Sequence, residues 1–362
     1  MAQYKNSSEI PHDVKSSTGI LITNLGTPQA PTKKSVRKYL AEFLSDKRVI
    51  ETPRIIWWPI LYGIILNLRP KRSARAYAKI WTNEGSPLRI ITLRQTQKIK
   101  QELATLLKYP IVVEMAMRYG QPSIKSVLEK FRRSNIRRIL VFPLYPQYSS
   151  TTTGSTFDAV TKELQSWRWI PEIRFISHYH DDIGYINALS ESISAHWLKN
   201  GKPDKILFSF HGLPKKYFDS GDPYFCECQK TGRLTAQKLK LKEDEWTVSF
   251  QSRFGPMQWL KPYTDDVLVS WAKKGISNVH VICPGFSSDC LETLEEIQIQ
   301  YRSIYLNAGG KQFSYIPALN DEPNHIKILT SIILRHCEGW KDDGWEPDII
   351  SKYVKKIEKT IR

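Results

Sequence analysis

Short runs rich in β-branched residues alternate along this chain with longer amphipathic stretches, and that alternation constrains it most. It is the pattern of βα units joined into a mostly parallel sheet. The expected strands are 19–25 (GILITNL), 111–117 (IVVEMAM), 137–144 (RRILVFPL) and 173–177 (IRFIS), then 204–210 (DKILFSF), 245–250 (EWTVSF), 278–283 (NVHVIC) and 311–316 (KQFSYI). Helices are expected near 32–45, 91–107, 122–133, 155–166, 184–199, 229–240, 264–274, 288–306 and 323–337. With 362 residues the chain suits two domains, each an αβα sandwich of about four strands. The expected division is a disordered arm over 1–17, a first domain over 18–172, a second over 173–322, and C-terminal helices over 323–362 that pack back on the first. No repeat at a fixed period is present, so likeness between the halves is architectural.

Composition narrows the partners. Hydrophobic residues at 41% and charged residues at 25% describe a globular protein and exclude low-complexity functions. The net charge of +17 favours polyanions, anionic lipid or a small acidic ligand. Five cysteines, an odd number spread through a long chain, argue against a secreted disulfide framework and for a reducing compartment. The polar start shows no secretory signal. The most apolar segment, Ile55 to Leu66, is far short of the roughly 20 residues that cross a bilayer. Flanked by Arg54 and by Arg69, Lys71, Arg72 and Arg75, it suits shallow insertion at an anionic membrane face, with a buried helix as the alternative. The tail ISKYVKKIEKTIR is a basic amphipathic helix candidate.

In open α/β sheets ligands bind beyond the carboxyl ends of strands. Those positions carry NLGTP, RYG (Arg118 to Gly120), YPQYSSTTTGS, FHGLP, QSRFGP and PGFSSDCLETLEE, which together should line a cleft between the domains. Neither G-x-G-x-x-G nor a P-loop is present, so no nucleotide cofactor is expected; G-x-S-x-G and H-E-x-x-H are also missing. His211 stands at a strand's carboxyl end as a candidate base or metal ligand. Glu292 and Glu296 lie four apart on the helix after 278–283, with Asp289 and Glu295 three from Glu292. Like charges at that spacing repel, so a row of carboxylates at a cleft is best explained by a divalent cation. His178 and His180 form an H-x-H pair with no further ligand at metal spacing, and are read as structural.

The motifs NLGTP, YPQYSSTTTGS, SFHGLP, GDPY, QSRFGPMQWLKP, SDCLETLEE and ALNDEP, in this order, resemble those of the ferrochelatase family, the lyases that insert ferrous iron into a porphyrin in the last step of haem synthesis. The resemblance implies two similar Rossmann-like domains, each a four-stranded parallel sheet flanked by helices, with the porphyrin between them. It implies that His211 is the essential histidine, that Glu292 faces it across the macrocycle, and that Glu296 continues the metal-carrying line. Tyr77, Ser86, Arg118, Tyr119 and Trp259 are then porphyrin-binding residues, and the segment around Trp57 to Leu66 is an active-site lip resting on a membrane. Protoporphyrin IX and ferrous iron are the implied substrates, with no organic cofactor. The implied location is the cytoplasmic face of the inner membrane, as a peripheral protein that is a monomer or a homodimer.

Cys290 stands where many family members have a histidine, Gln300 where a third carboxylate often follows, and Ser150 where animal enzymes have a cluster-ligating cysteine. Cys226, Cys228, Cys283 and Cys290 are nevertheless numerous enough to hold a [2Fe-2S] cluster or zinc, with free thiols as the alternative. The competing functions are a chelatase for coproporphyrin or another divalent metal, and a tetrapyrrole or metal carrier without turnover. Nucleic-acid binding is not expected, since no helix-turn-helix, zinc-finger or RNP pattern accompanies the charge.

Overall fold

In the computed structural model, which describes residues 4–5, 17–107 and 109–340, the β-branched runs pair as two separate parallel sheets. The first has the order β2-β1-β3-β4, built from β1 (Ser17–Gly26), β2 (Ile111–Tyr119), β3 (Ile136–Pro143) and β4 (Glu172–Phe175). The second repeats that order as β6-β5-β7-β8, from β5 (Lys205–His211), β6 (Trp246–Gln251), β7 (Asn278–Ile282) and β8 (Gln312–Ile316). The central strands β1 and β5 are apolar along most of their length because helices cover both faces. Chain order reverses between β1 and β3 and again between β5 and β7, so each sheet opens a ligand crevice at its carboxyl edge there.

The connecting helices are α1 (Lys33–Leu44), α2 (Arg54–Trp58), α3 (Leu66–Ile80), α4 (Pro87–Leu106), α5 (Ile124–Arg133) and α6 (Ser155–Leu164) in the first half. In the second they are α7 (Ile183–Asn200), α8 (Lys215–Asp219), α9 (Tyr224–Lys238), α10 (Thr264–Lys273), α11 (Arg302–Asn307) and α12 (Pro323–His336). Three segments are wound more widely as π-helix: Pro59–Ile65, Ser150–Gly154 and Glu292–Tyr301. Helix α4 starts at Pro87, four residues before the expected start, because proline fits the first helical position where no N–H is required. Residues 54–80, read from sequence as an apolar segment and a basic cluster, form α2, a π turn and α3. The expected helix over 288–306 is the π segment followed by α11.

One apolar cluster runs through both halves, joining Ile20, Ile22 and Phe142 of the first sheet to Phe208, Phe210 and Ile316 of the second through side chains of α4, α7 and α12. The basic tail and most of the N-terminal arm lie outside the described residues.

Candidate active site

His211 is the last residue of β5, paired in register with Gln251 at the end of β6. Its ring is half-buried, and Nδ1 lies 2.7 Å from the carbonyl oxygen of Gly212, a contact that fixes the ring's orientation. The chain then turns tightly: the Gly212 amide donates to Gln251 O at 2.8 Å, and the buried Trp259 packs over this glycine. Trp259 is itself held by its indole N–H, which donates to Phe254 O at 3.0 Å.

Gln251 links this histidine to the acidic helix. Its Nε2 donates to the Glu292 carbonyl at 2.9 Å, and its Oε1 accepts from Ser209 at 2.7 Å. Glu296 is gripped by Ser252, whose amide donates to Oε1 at 2.9 Å and whose hydroxyl donates to Oε2, and by Tyr301, whose hydroxyl donates to Oε1 at 2.8 Å. Burial pushes the Glu296 carboxyl above its ordinary range, against the pull of these donors and of the His211 charge; the Glu292 charge adds to the rise. His211, Glu292 and Glu296 therefore share one electrostatic site.

Sequence reasoning treated 288–306 as α-helix, and two side-chain pairs show what the wider winding changes. Tyr301 reaches Glu296, and Gln300 reaches Glu295, each five residues on. That spacing matches i→i+5 backbone bonding. Glu295 turns to Lys79 of α3, with 2.7 Å between Nζ and Oε1, so it leaves the acidic row. Asp289 leaves it too, as a buried hub that accepts from Thr293 at 2.9 Å, Tyr315 at 2.6 Å and Asn320 at 2.7 Å.

The first sheet supplies the facing wall. Tyr77 of α3 is buried beside Thr27, Tyr39 and the Glu292 charge, and burial holds its hydroxyl protonated. Ser86 accepts from the Thr27 hydroxyl at 2.9 Å, which ties the loop after β1 to the start of α4. Arg118 donates to the Ser155 carbonyl at 2.9 Å and pairs with Asp46, while the buried Tyr119 donates to Asp46 at 2.8 Å. Burial acts to raise the Asp46 carboxyl, but donation from Ser155, the Arg48 amide and Tyr119, with the Arg118 charge, brings it below its usual range. Arg118 and Tyr119 are thus tied into a polar knot behind the wall.

Arg69, one member of the basic cluster read from sequence, also has a partner in the second half of the chain. Its side chain is exposed, with its guanidinium 5.3 Å from the Phe254 ring centre and within the field of Glu292. Lys71, Arg72 and Arg75 face outward. On the lip Trp57 is buried, its indole donating to Leu44 O at 2.7 Å, whereas Ile55 is 84% and Leu68 71% exposed, and Ile56, Trp58, Tyr62 and Ile64 also face outward. Sequence reasoning missed Tyr39, Arg69, Gln251, Ser252 and Tyr301 as site residues. Gln251 and Ser252 lie in the QSRFGP segment it had marked, but the positive φ of 66° that turns Ser252 toward Glu296 leaves no mark in a serine codeword.

The four motif cysteines do not come together as a cluster site. Cys226 is exposed and Cys228 buried on the same helix, and Cys228 and Cys283 belong to different apolar clusters. Burial raises the thiols of Cys228, Cys283 and Cys290 well above their ordinary values. Among the described residues, the group that brings three potential metal ligands together is His178, His180 and Glu227.

Comparison with known proteins agrees with this geometry. A family model described as Ferrochelatase matches residues 17–337. The ferrochelatase of Thioalkalivibrio sulfidiphilus is 53% identical over 340 residues, covering 94% of this chain and 92% of the relative. That of Nitrosococcus oceani is 52% identical over 339 residues, with 94% and 92% covered. Among solved structures, the sirohydrochlorin chelatase SirB from Bacillus subtilis subspecies spizizenii, in complex with cobalt, superposes with a TM-score of 0.51 at 11% identity, covering 89% of this chain and 96% of that one. The last likeness establishes the chelatase fold, and with the sequence relatives and the family model it leads to one assignment: this chain belongs to the ferrochelatase family.

Proposed function

We propose that the cleft between the two sheets inserts ferrous iron into protoporphyrin IX to form protohaem, with His211 and Glu292 as its catalytic and metal-binding residues. The observation that carries the reading is the shared electrostatic site of His211, Glu292 and Glu296, opposite a wall of buried tyrosines. Metallation requires two pyrrole protons to leave while the ion enters. An imidazole accepts protons near neutral pH, which suits His211 as the acceptor. Glu292 and Glu296, in line along the π segment, suit a path for iron inward and protons outward. Arg118, Tyr119, Tyr77, Ser86 and Trp259 shape the porphyrin pocket. In this reading Arg118 and Tyr119 act through the wall they brace, while Arg69 offers a cation to an acidic substituent at the rim. Binding energy gained at the rim can bend the macrocycle and expose its nitrogens.

The test is haem formation followed by absorbance under anaerobic conditions, with protoporphyrin IX and ferrous iron. Wild type should turn over, whereas His211→Ala and Glu292→Gln should lose turnover while still quenching porphyrin fluorescence. A wild type that binds porphyrin and never metallates it would favour a carrier. Faster turnover of coproporphyrin would favour that substrate instead.

The outward apolar residues of α2, the first π turn and α3 support the more apolar porphyrin and a peripheral contact with an anionic membrane, placed at the cytoplasmic face of the inner membrane. No helix among the described residues is long and apolar enough to cross one. Ile55→Ser with Leu68→Ser should release the protein from sedimenting anionic vesicles; retained binding would refute the lip reading. The chain divides in this reading near residue 172, with the C-terminal helix α12 serving both halves through its packing on α4 and α7.

A further inference from the structure

The chain leaving β4 carries His178 and His180, whose ring centres lie 5.0 Å apart. Facing them from α9 is Glu227. His178 Nδ1 is 2.8 Å from Glu227 Oε1. His180 Nδ1 is buried 3.2 Å from Oε2, at ion-pair distance but without the alignment of a hydrogen bond, in a residue only 5% exposed. One ligand atom from each residue falls within 4.8 Å of the others.

The surroundings hold this group in place. The Tyr148 amide donates to Glu227 Oε2 at 2.7 Å, and the Thr231 hydroxyl, one turn along α9, donates to the His180 carbonyl at 2.8 Å. The other ring nitrogen of His180 faces Asp181 at 3.8 Å, and Lys230 holds that carboxylate at 2.6 Å. A carboxylate behind a histidine's second nitrogen is the usual support for metal-binding imidazole. His178 borders a cavity of about 300 Å³, shared with Ser177, Asp181, Asp182 and Arg335, which offers an entry path from solvent.

We infer that His178, His180 and Glu227 form a binding site for one divalent transition-metal ion of the zinc and iron(II) class, clamping the segment after β4 to α9. Two imidazoles and one carboxylate suit that class, with water completing the coordination on the exposed His178 side. Calcium and magnesium would require an oxygen-only set. The site ties the first sheet's last strand to a helix of the second half, and Tyr224 in the first turn of α9 lies against the His211 backbone. The sequence showed only the H-x-H pair; the third ligand comes from a residue 47 positions beyond His180. The inference does not depend on the cleft assignment.

The test uses full-length protein stripped by chelator and carrying His211→Ala, Glu292→Gln and Glu296→Gln, so that the cleft's three metal-binding candidates are removed. Calorimetry with Zn²⁺ and visible absorbance with Co²⁺ should each report one equivalent bound. Adding His180→Ala or Glu227→Gln should weaken binding at least about tenfold, and Asp181→Asn about tenfold through lost support. Zn²⁺ should raise the melting temperature of the parent and leave the Glu227→Gln variant unmoved. Glu227→Gln keeps the side chain's shape and an acceptor for Tyr148, so it reports on ligation even if His180→Ala fails to fold. No stoichiometric binding in the cleft-disabled parent, or binding unchanged by Glu227→Gln, would overturn the site and leave an ordinary histidine–carboxylate cluster.

Discussion

Gly212→Ala isolates how the strand end positions His211, because the substitution adds one methyl next to the ring without touching it. A Cβ built there meets the Gln251 carbonyl oxygen at 2.7 Å and Trp259 Cε3 at 3.1 Å. The first contact falls about 0.7 Å short of ordinary van der Waals distance, and its partner is backbone, so β5 and β6 must part at their ends. That shift strains the Gly212 N–H bond to Gln251 O and moves Gln251, whose side chain holds the Glu292 carbonyl. Overpacking of this kind costs about 1–3 kcal/mol of stability. A misplacement near 1 Å costs on the order of 100-fold in rate, so turnover should fall roughly 10- to 100-fold. Anaerobic haem formation reads the rate, porphyrin fluorescence quenching reads binding, and thermal melting reads stability. Binding should persist while turnover falls. The double variant Gly212→Ala/Trp259→Phe should not recover, since the carbonyl is the harder obstacle. Turnover within threefold of wild type, or full rescue by Trp259→Phe, would refute the reasoning.

Three further outcomes follow from the same structure. Glu296 is raised by burial, so its share of stability is complete below its ordinary value of 4.5 and is lost as pH rises through the raised value; Glu296→Gln should melt above wild type at pH 8, converge with it at pH 4, and turn over more slowly. His280 and His325 are both pushed down to about 4 by burial, so their stability is present above about 6.5 and lost as pH falls toward 4. Each should cost about 2 kcal/mol between pH 7 and pH 5, and a fall in denaturation midpoint over that interval as large in His325→Asn as in wild type would contradict the assignment. Asp289→Ala strands the buried donors of Thr293, Tyr315 and Asn320, and should cost about 3 kcal/mol and lower turnover by loosening the start of the acidic helix; an unaltered urea midpoint would count against it.

The sheets were legible in the sequence because strand patterning is local. ILIT, ILVF and ILFSF are apolar on both faces, as parallel strands covered by helices must be, and no tertiary contact is needed to recognise them. His211 and Glu292 were legible for a related reason, since a strand's carboxyl end is a known place to look. Arg69 was not. A basic residue beside an apolar lip has the same local pattern with or without an aromatic partner, and only the fold brings Phe254, 185 residues away, against its guanidinium. Trp57 and Trp58 make the same point at one-residue resolution: the indole of one caps Leu44 O while the other stays at the surface.

Helix winding was the least legible feature, and it bears on function. Acidic residues four apart read as α-helical neighbours, and nothing in ETLEEIQIQY signals the i→i+5 register. Wider winding of this kind is often found at functional sites. The π segments here occupy the lip, the loop between Tyr148 and Ser155 that carries the Asp46 acceptor network, and the acidic row itself. In the acidic row the register has a direct chemical result: it brings the Tyr301 hydroxyl onto Glu296 and draws Glu295 aside to Gln300 and Lys79. One carboxylate is thereby kept in the cleft and its neighbour neutralised against α3. An α-helical register would forfeit both pairings. Replacing Tyr301 with phenylalanine should therefore raise the Glu296 carboxyl further and shift the pH–rate profile to higher pH, a shift that a purely structural tyrosine would not produce.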